Sequence, residues 1–321
     1  MEPVLSVVMP YLNEKEEPVK TVESLMGTIP SEKQVEIIAI DDCSTDSADL
    51  SGFENVRQMR NDERKGVDCC RQMGVEAAQS DNVLIIDAHM RFKGDWLDKM
   101  TTLISANSQT MWCCVCLGMG YGTNELKEGM ARYHGATMLF VNERAIPGRP
   151  ARECLEPKWA PEHPPTVYDI PCILGANYFF SKEWFTHIGG LRGLKSWGTS
   201  EPFLSLKSYF AGGDCKITKE IEIAHLFRSN APYTTNICDL LYNKIFLCKT
   251  ILPKEIGECL MGYLPKDRNF TKATEMIETD EEEIEAYRAY YDSIFTTSVF
   301  EYCEKFNIHL PPKGLLGHLE E

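Results

Sequence analysis

Along the first 120 residues, short apolar runs alternate with segments whose apolar positions recur at helical spacing. Val4–Met9 predicts a first strand, and Val19, Val22, Leu25 and Met26 follow on one face of a helix. Val35–Ile40 predicts a second strand running into Asp41 and Asp42, and Asn55–Met59 a weaker third. Over 66–79, Val67, Cys70, Met73 and Ala77 share a helical face. Val83–Ile86 predicts a fourth strand ending at Asp87, and Met111–Leu117 a fifth. Such alternation predicts an α/β fold with a mainly parallel sheet covered by helices. Ligands bind such sheets beyond the carboxyl ends of the strands, where both acidic clusters fall.

Residues 142–171 break the rhythm with Pro147, Pro150, Pro157, Pro161, Pro164, Pro165 and Pro171. This composition predicts an irregular, acceptor-side excursion within the domain. Strand pattern resumes at Ile173–Phe180, and beyond His225 the chain reads as mostly helical. Thr279-Asp-Glu-Glu282 has the form of a capping box. After it, Ile284, Tyr287, Tyr291 and Ile294 recur at helical spacing, the pattern of a helix packed on the main body.

Composition narrows the class. With 321 residues, 43% hydrophobic and 25% charged, the chain can bury a sizeable core. Its net charge of -15 repels a phosphate backbone unless a local basic patch intervenes, which argues against a general nucleic-acid binder. Thirteen cysteines form no disulfide framework: the number is odd, and pairs such as Cys69-Cys70 and Cys113-Cys114 lie in apolar segments, as packed thiols do. A reducing cytoplasm is the expected setting. No signal-peptide pattern opens the chain, and no stretch approaches the roughly 18 apolar residues of a membrane span.

The candidate chemistry centres on Asp87-Ala88-His89, directly after the apolar run Val83–Ile86. In an extended segment, positions i and i+2 point the same way, so one carboxylate and one imidazole could grip a cation from one side. Mixed oxygen and nitrogen ligands suit Mn²⁺ or Zn²⁺ better than Ca²⁺. By itself the pattern fits a capped strand end equally well, and its context decides.

Three stretches supply that context. Leu5-Ser-Val-Val-Met-Pro-Tyr-Leu-Asn-Glu14 followed by Ile40-Asp-Asp-Cys-Ser-Thr-Asp46 is the first. Asn61-Asp-Glu-Arg-Lys-Gly66, Arg71 and Val83–His89 form the second, and His225-Leu-Phe-Arg228 with Pro232-Tyr233-Thr234 the third. In order and spacing they resemble the GT-A-fold glycosyltransferases of the family 2 type, particularly the polypeptide N-acetylgalactosaminyltransferases. The resemblance covers roughly residues 1–235. It implies a GT-A catalytic domain there, with residues 236–321 a helical extension packed on it.

The resemblance implies a UDP-sugar donor, a cofactor of Mn²⁺ (or Mg²⁺), and transfer to an acceptor hydroxyl. Asp87, His89 and His225 would hold the metal, with Ala88 beside the nucleotide. Arg228 would reach the diphosphate bidentately, and Tyr233 would contact it. Asp41 or Asp42 would bind the nucleoside, with Arg64 and Arg71 helping to hold the nucleotide. Read as residues alone, the Asp pair forms a turn, Arg71 pairs with acids on its helix, and Asn13 and Glu14 cap the next helix. Trp197-Gly-Thr-Ser-Glu201 resembles the segment that touches donor sugar and acceptor. Glu201 would bind sugar hydroxyls or act as general base. Thr199 and Ser200 depart from the family pattern, which has a glycine and an acid there. Gly175-Ala-Asn177 is expected to line the sugar pocket.

The acceptor is left as a glycan, a protein or a hydroxymethylated DNA base. Absence of an anchor or lectin segment, together with free thiols, points to a bacterial or phage-infected cytoplasm. Lys and Arg around 144–158 and 182–195 leave room for a basic patch. Two other classes compete. A sugar nucleotidyltransferase would carry a glycine-rich loop after its first strand, where Pro10-Tyr-Leu-Asn-Glu14 stands instead. A non-catalytic nucleotide-sugar binder need not retain Asp87, His89, His225 and Arg228.

Overall fold

The computed structural model describes residues 2–120, 126–141, 154–174, 176–228 and 232–311. In chain order the elements begin with β1 (Leu5–Tyr11), α1 (Glu17–Met26), β2 (Val35–Asp41), β3 (Val56–Arg60), α2 (Val67–Ala77) and β4 (Asn82–Ile86). Next come β5 (Met90–Phe92), α3 (Trp96–Ala106), β6 (Thr110–Met119), β7 (Ala131–Tyr133), β8 (Ala136–Val141) and β9 (Cys154–Trp159). Then follow β10 (Val167–Asp169), β11 (Asn177–Ser181), α4 (Lys182–His187), α5 (Ser200–Phe210) and β12 (Asp214–Leu226). The chain continues through α6 (Ile237–Ile251), α7 (Lys254–Gly262), α8 (Arg268–Thr279), α9 (Glu281–Ile294) and α10 (Val299–Phe306).

The main sheet has the order β10-β12-β6-β11-β4-β1-β2-β3, with β5 paired to β12 and β7 to β6. β1, β2, β3 and β4 pair in parallel, and so do β6 and β12, while β11 is antiparallel to both β4 and β6. Most strands of the path therefore run one way, as the βα alternation predicts. Side-chain alternation divides the core. From β1, Leu5, Val7 and Met9 pack with Val22 and Leu25 of α1 and with Trp96 and Met100 of α3. Val8 points to the other face, into a cluster shared with Cys70 of α2, Phe203 of α5, Phe246 of α6, Tyr291 of α9 and Tyr302 of α10. One apolar cluster thus runs from the sheet into the C-terminal helices.

Several expectations change. The extended geometry read for Asp87–His89 is a bend joining β4 to β5. The strand expected at Ile173–Phe180 begins at Asn177. The proline-rich stretch, whose residues 142–153 lie outside the described residues, carries two strands, β9 and β10; β9 pairs with β8 in a separate two-stranded sheet. Thr279 forms no capping box: it closes α8, its hydroxyl donating to the Glu275 carbonyl, and α9 starts after Asp280 without a side-chain cap. The capping box is built instead by Ser298 and Glu301 at α10. Ile284 and Tyr291 of α9 are buried as their spacing predicts.

Candidate active site

At the carboxyl ends of β1, β2 and β4 lies a cavity of about 760 Å³. Asp42, Arg64, Arg71, Asp87, Ala88, His89, Trp197, Glu201, His225, Arg228 and Tyr233 all line it. Of the residues assigned to the metal, the nucleotide or the transfer step in the sequence, Asp41 is the one that does not line it.

Sheet pairing brings Asp87, His89 and His225 together. β5 runs antiparallel to β12, with Met90 opposite His225, and the Leu226 N–H donates to the His89 carbonyl at 3.1 Å. Thr21 of α1 pins the bend, donating to the Ala88 carbonyl at 2.8 Å and accepting the Met90 N–H at 3.0 Å. One ligand atom from each of the three side chains lies within 4.8 Å of the others. His89 Nε2 and His225 Nε2 face each other at 3.0 Å, and Asp87 Oδ2 is 3.4 Å from His225 Nε2. Two imidazole nitrogens this close repel unless a proton or a cation lies between them. Both Nδ1 atoms are buried without a hydrogen bond. Two imidazoles and a carboxylate converging on one point fit a divalent transition metal.

The charges around this point favour a neutral imidazole beside an ionised carboxylate. Burial, the dominant influence, lowers the His225 pKa below its ordinary value despite Asp87. For Asp87, burial is outweighed by His225 and Arg71, which hold its carboxyl at about 2. Glu14 is buried and ion-paired with Arg228, and its Oε2 sits 3.2 Å from His89 Nδ1 without hydrogen-bond alignment. His89 and Arg228 overcome burial and keep the Glu14 carboxyl below its usual value. Expected as a helix cap, Glu14 instead sits between His89 and Arg228.

A buried guanidinium forms the other side of the floor. Arg71 lies 3.4 Å from Asp68, 3.3 Å from Asp87 and 3.5 Å from Glu201, with its guanidinium carbon 5.6 Å from the Tyr178 ring centroid. Arg71 lines the cavity while pairing with acids, Asp68 of its own helix among them. Burial raises the fully enclosed Asp68 carboxyl to about 7, against the pull of Arg71.

Asp41 and Asp42 part company because adjacent residues leave a strand on opposite sides. Asp42 turns to the cavity and accepts the Lys65 and Gly66 N–H groups at 2.8 Å and Asn61 Nδ2 at 2.9 Å. Asp41 accepts the Ser44 N–H at 2.7 Å and pairs with Arg60, away from the cavity. Gly66 (φ 94°) must be glycine, because a Cβ there would lie 2.1 Å from Ser196 Cα. That approach lays the 62–66 loop against the segment carrying Trp197. Arg64 donates to the Thr234 carbonyl at 3.0 Å and stacks on Tyr233.

Other residues have no counterpart in the sequence reading. Leu155, Glu156, Pro157 and Trp159 of β9 form one wall. Tyr133, Trp159, Phe227 and His225 make a continuous series of ring contacts from β9 to the cluster of Asp87, His89 and His225. Asn243 of α6, fully buried, accepts the Lys195 N–H at 2.7 Å and donates to the carbonyls of Lys195 and Gly198 at 2.7 and 2.9 Å. It fixes the Trp197 loop. Its neighbour Lys244 donates to the Cys154 carbonyl and, at 2.7 Å, to Glu156. Only tertiary packing reveals these roles, although polar residues inside an otherwise apolar helix are the available signal. Of Gly175-Ala-Asn177, Ala176 lines the cavity, Gly175 lies outside the described residues, and Asn177 is a correction: it is buried against Cys114 and does not line the cavity.

Comparison with known proteins agrees with this architecture. Residues 6–156 match the family model for glycosyl transferase family 2. Polypeptide N-acetylgalactosaminyltransferase 10 of Mus musculus is 26% identical over 243 residues, 72% of this chain and 39% of that protein. The chain therefore spans well under half the length of this relative. A crystal structure of GalNAc-T7 with UDP, GalNAc and Mn²⁺ superposes with a TM-score of 0.74 at 19% identity, over 96% of this chain and 59% of that one. S. aureus TarS 1-349 in complex with UDP-GlcNAc gives 0.55 at 11% identity, over 100% of this chain and 93% of that one. With these matches and the sheet order above, the chain has the GT-A fold and, over residues 6–156, resembles the glycosyltransferases of family 2, with similarity to the polypeptide N-acetylgalactosaminyltransferases.

Proposed function

We propose that this chain is a divalent-metal-dependent glycosyltransferase that moves a sugar from a UDP-sugar to an acceptor hydroxyl. The convergence of Asp87, His89 and His225 on one point of the cavity carries the reading. Those three side chains would hold Mn²⁺ or Mg²⁺, the mixed donor set favouring Mn²⁺. When bound, the cation supplies positive charge to the departing diphosphate.

The remaining roles belong to the chain's own groups. Arg228, tied to Glu14 through one Nη, keeps its other N–H donors for phosphate oxygens. Glu14 steadies both Arg228 and His89. Asp42, Arg64 and Tyr233 form the nucleoside end, Ala88 packs beside the nucleotide, and Asp41 supports the turn from behind. Arg71 holds Glu201 and Asp87 apart as a cationic spacer, leaving Glu201 on the cavity as general base or sugar-hydroxyl acceptor. Trp197 walls the sugar end.

Thirteen thiols, none paired, support a reducing cytoplasm as the setting. Among the described residues no helix is long and apolar enough to cross a membrane. A glycan or protein hydroxyl suits a chain of charge -15 better than a modified DNA base does. The test is UDP release from a panel of UDP-sugars. Release with Mn²⁺ that EDTA abolishes is expected; UDP-sugar binding without release, across the acceptor classes, would mark a binding protein instead.

A further inference from the structure

Lys244 and Glu156 form an ion pair that nothing in the proposed transfer yet uses. Lys244 lies on α6, its side chain 1% exposed, with Nζ 2.7 Å from Glu156 Oε1. An ammonium inside an apolar helix is costly to desolvate unless paired, so this contact is a specific feature of the fold. The same Nζ binds the Cys154 carbonyl, gripping β9 on both sides of Leu155. Leu155 sits at φ 54°, a left-handed conformation that a branched side chain adopts only when its surroundings enforce it. The clamp therefore sets the course of β9 where it faces the cavity.

Glu156 reaches that cavity. Its Oε1 is taken by Lys244, whereas Oε2 makes no hydrogen bond or ion pair among the described residues. Of the other cavity carboxylates outside Asp87, Glu14 sits between His89 and Arg228, both on its Oε2, while Asp42 and Glu201 are engaged through both oxygens. Asp42 holds Asn61, Lys65 and Gly66, and Glu201 holds Arg71 and Ser200. A carboxylate oxygen accepts hydrogen bonds and repels phosphate, so its partner is the hydroxyl-rich part of a nucleotide sugar.

Resting on the glycosyltransferase reading, we propose that Glu156 is a specificity-determining residue. Its free oxygen accepts a hydroxyl of the donor's sugar ring, and Lys244 is the positioning residue that aims it. Calorimetric titration with UDP and with UDP-Glc, UDP-Gal, UDP-GlcNAc and UDP-GalNAc in Mn²⁺ tests this. In Glu156→Gln, UDP should bind as in the wild type, while the ratio of UDP-sugar to UDP affinity for the preferred sugar falls about tenfold. Lys244→Met should give the same fall with UDP affinity kept, and Lys244→Arg should restore part of it. An unchanged ratio in Glu156→Gln overturns the proposal, as does a loss confined to turnover. Failure of the wild type to bind UDP at all would strike the glycosyltransferase reading instead. Should Lys244→Met fail to fold, the glutamine variant alone decides.

Discussion

The two walls of the cavity are built on different principles. On the side of the proposed metal site, Asp87, His89 and His225 are placed by backbone: a strand end, a bend pinned by Thr21, and the pairing of β5 with β12. Opposite, β9 and the Trp197 loop are placed by side chains, Lys244 and Asn243, projecting from a helix that follows the whole sheet in sequence. A sheet register tolerates many substitutions around it. A side-chain clamp depends on one residue, so the second wall is the easier one to retune or to break.

That contrast predicts where damage falls. Asn243→Ala should be the more harmful change, lowering unfolding free energy by about 3 kcal/mol, because it strands buried backbone groups of Lys195 and Gly198. Urea denaturation measures it; a change under about 1 kcal/mol would mean the loop holds itself. Asp68→Asn sharpens the other side, and its effect is read in how stability depends on pH. The folded Asp68 carboxyl is raised from 3.8 to about 7, so between those values the native state binds more protons than the unfolded chain. Wild-type stability then falls as pH rises across that window, and the asparagine variant should lose that part of the slope. Parallel pH profiles would contradict the burial argument.

The same contrast explains what could be read from the chain. Asp87 and His89 were legible because an apolar run ends on them, and the parallel frame followed from alternating β and α patterns. The choice between Asp41 and Asp42 was not, since it depends on which side of β2 faces the cavity. Glu14 resembled a helix cap because its partners, His89 and Arg228, lie 75 and 214 positions further on. Lys244 and Asn243 carry no local signature, and their meaning comes from β9 and the Trp197 loop. Thr279 misled for the opposite reason: a correct local motif was overridden by the continuation of α8.

The central claim is that two imidazoles and a carboxylate hold a cation against the diphosphate of UDP. Calorimetric titration of Mn²⁺ into the UDP-saturated protein, for the wild type and His225→Ala, tests it most directly. One Mn²⁺ per chain is expected in the wild type, with affinity at least about tenfold weaker in a folded His225→Ala variant. Equal Mn²⁺ binding by both, or UDP binding indifferent to Mn²⁺ and to EDTA, would contradict the account.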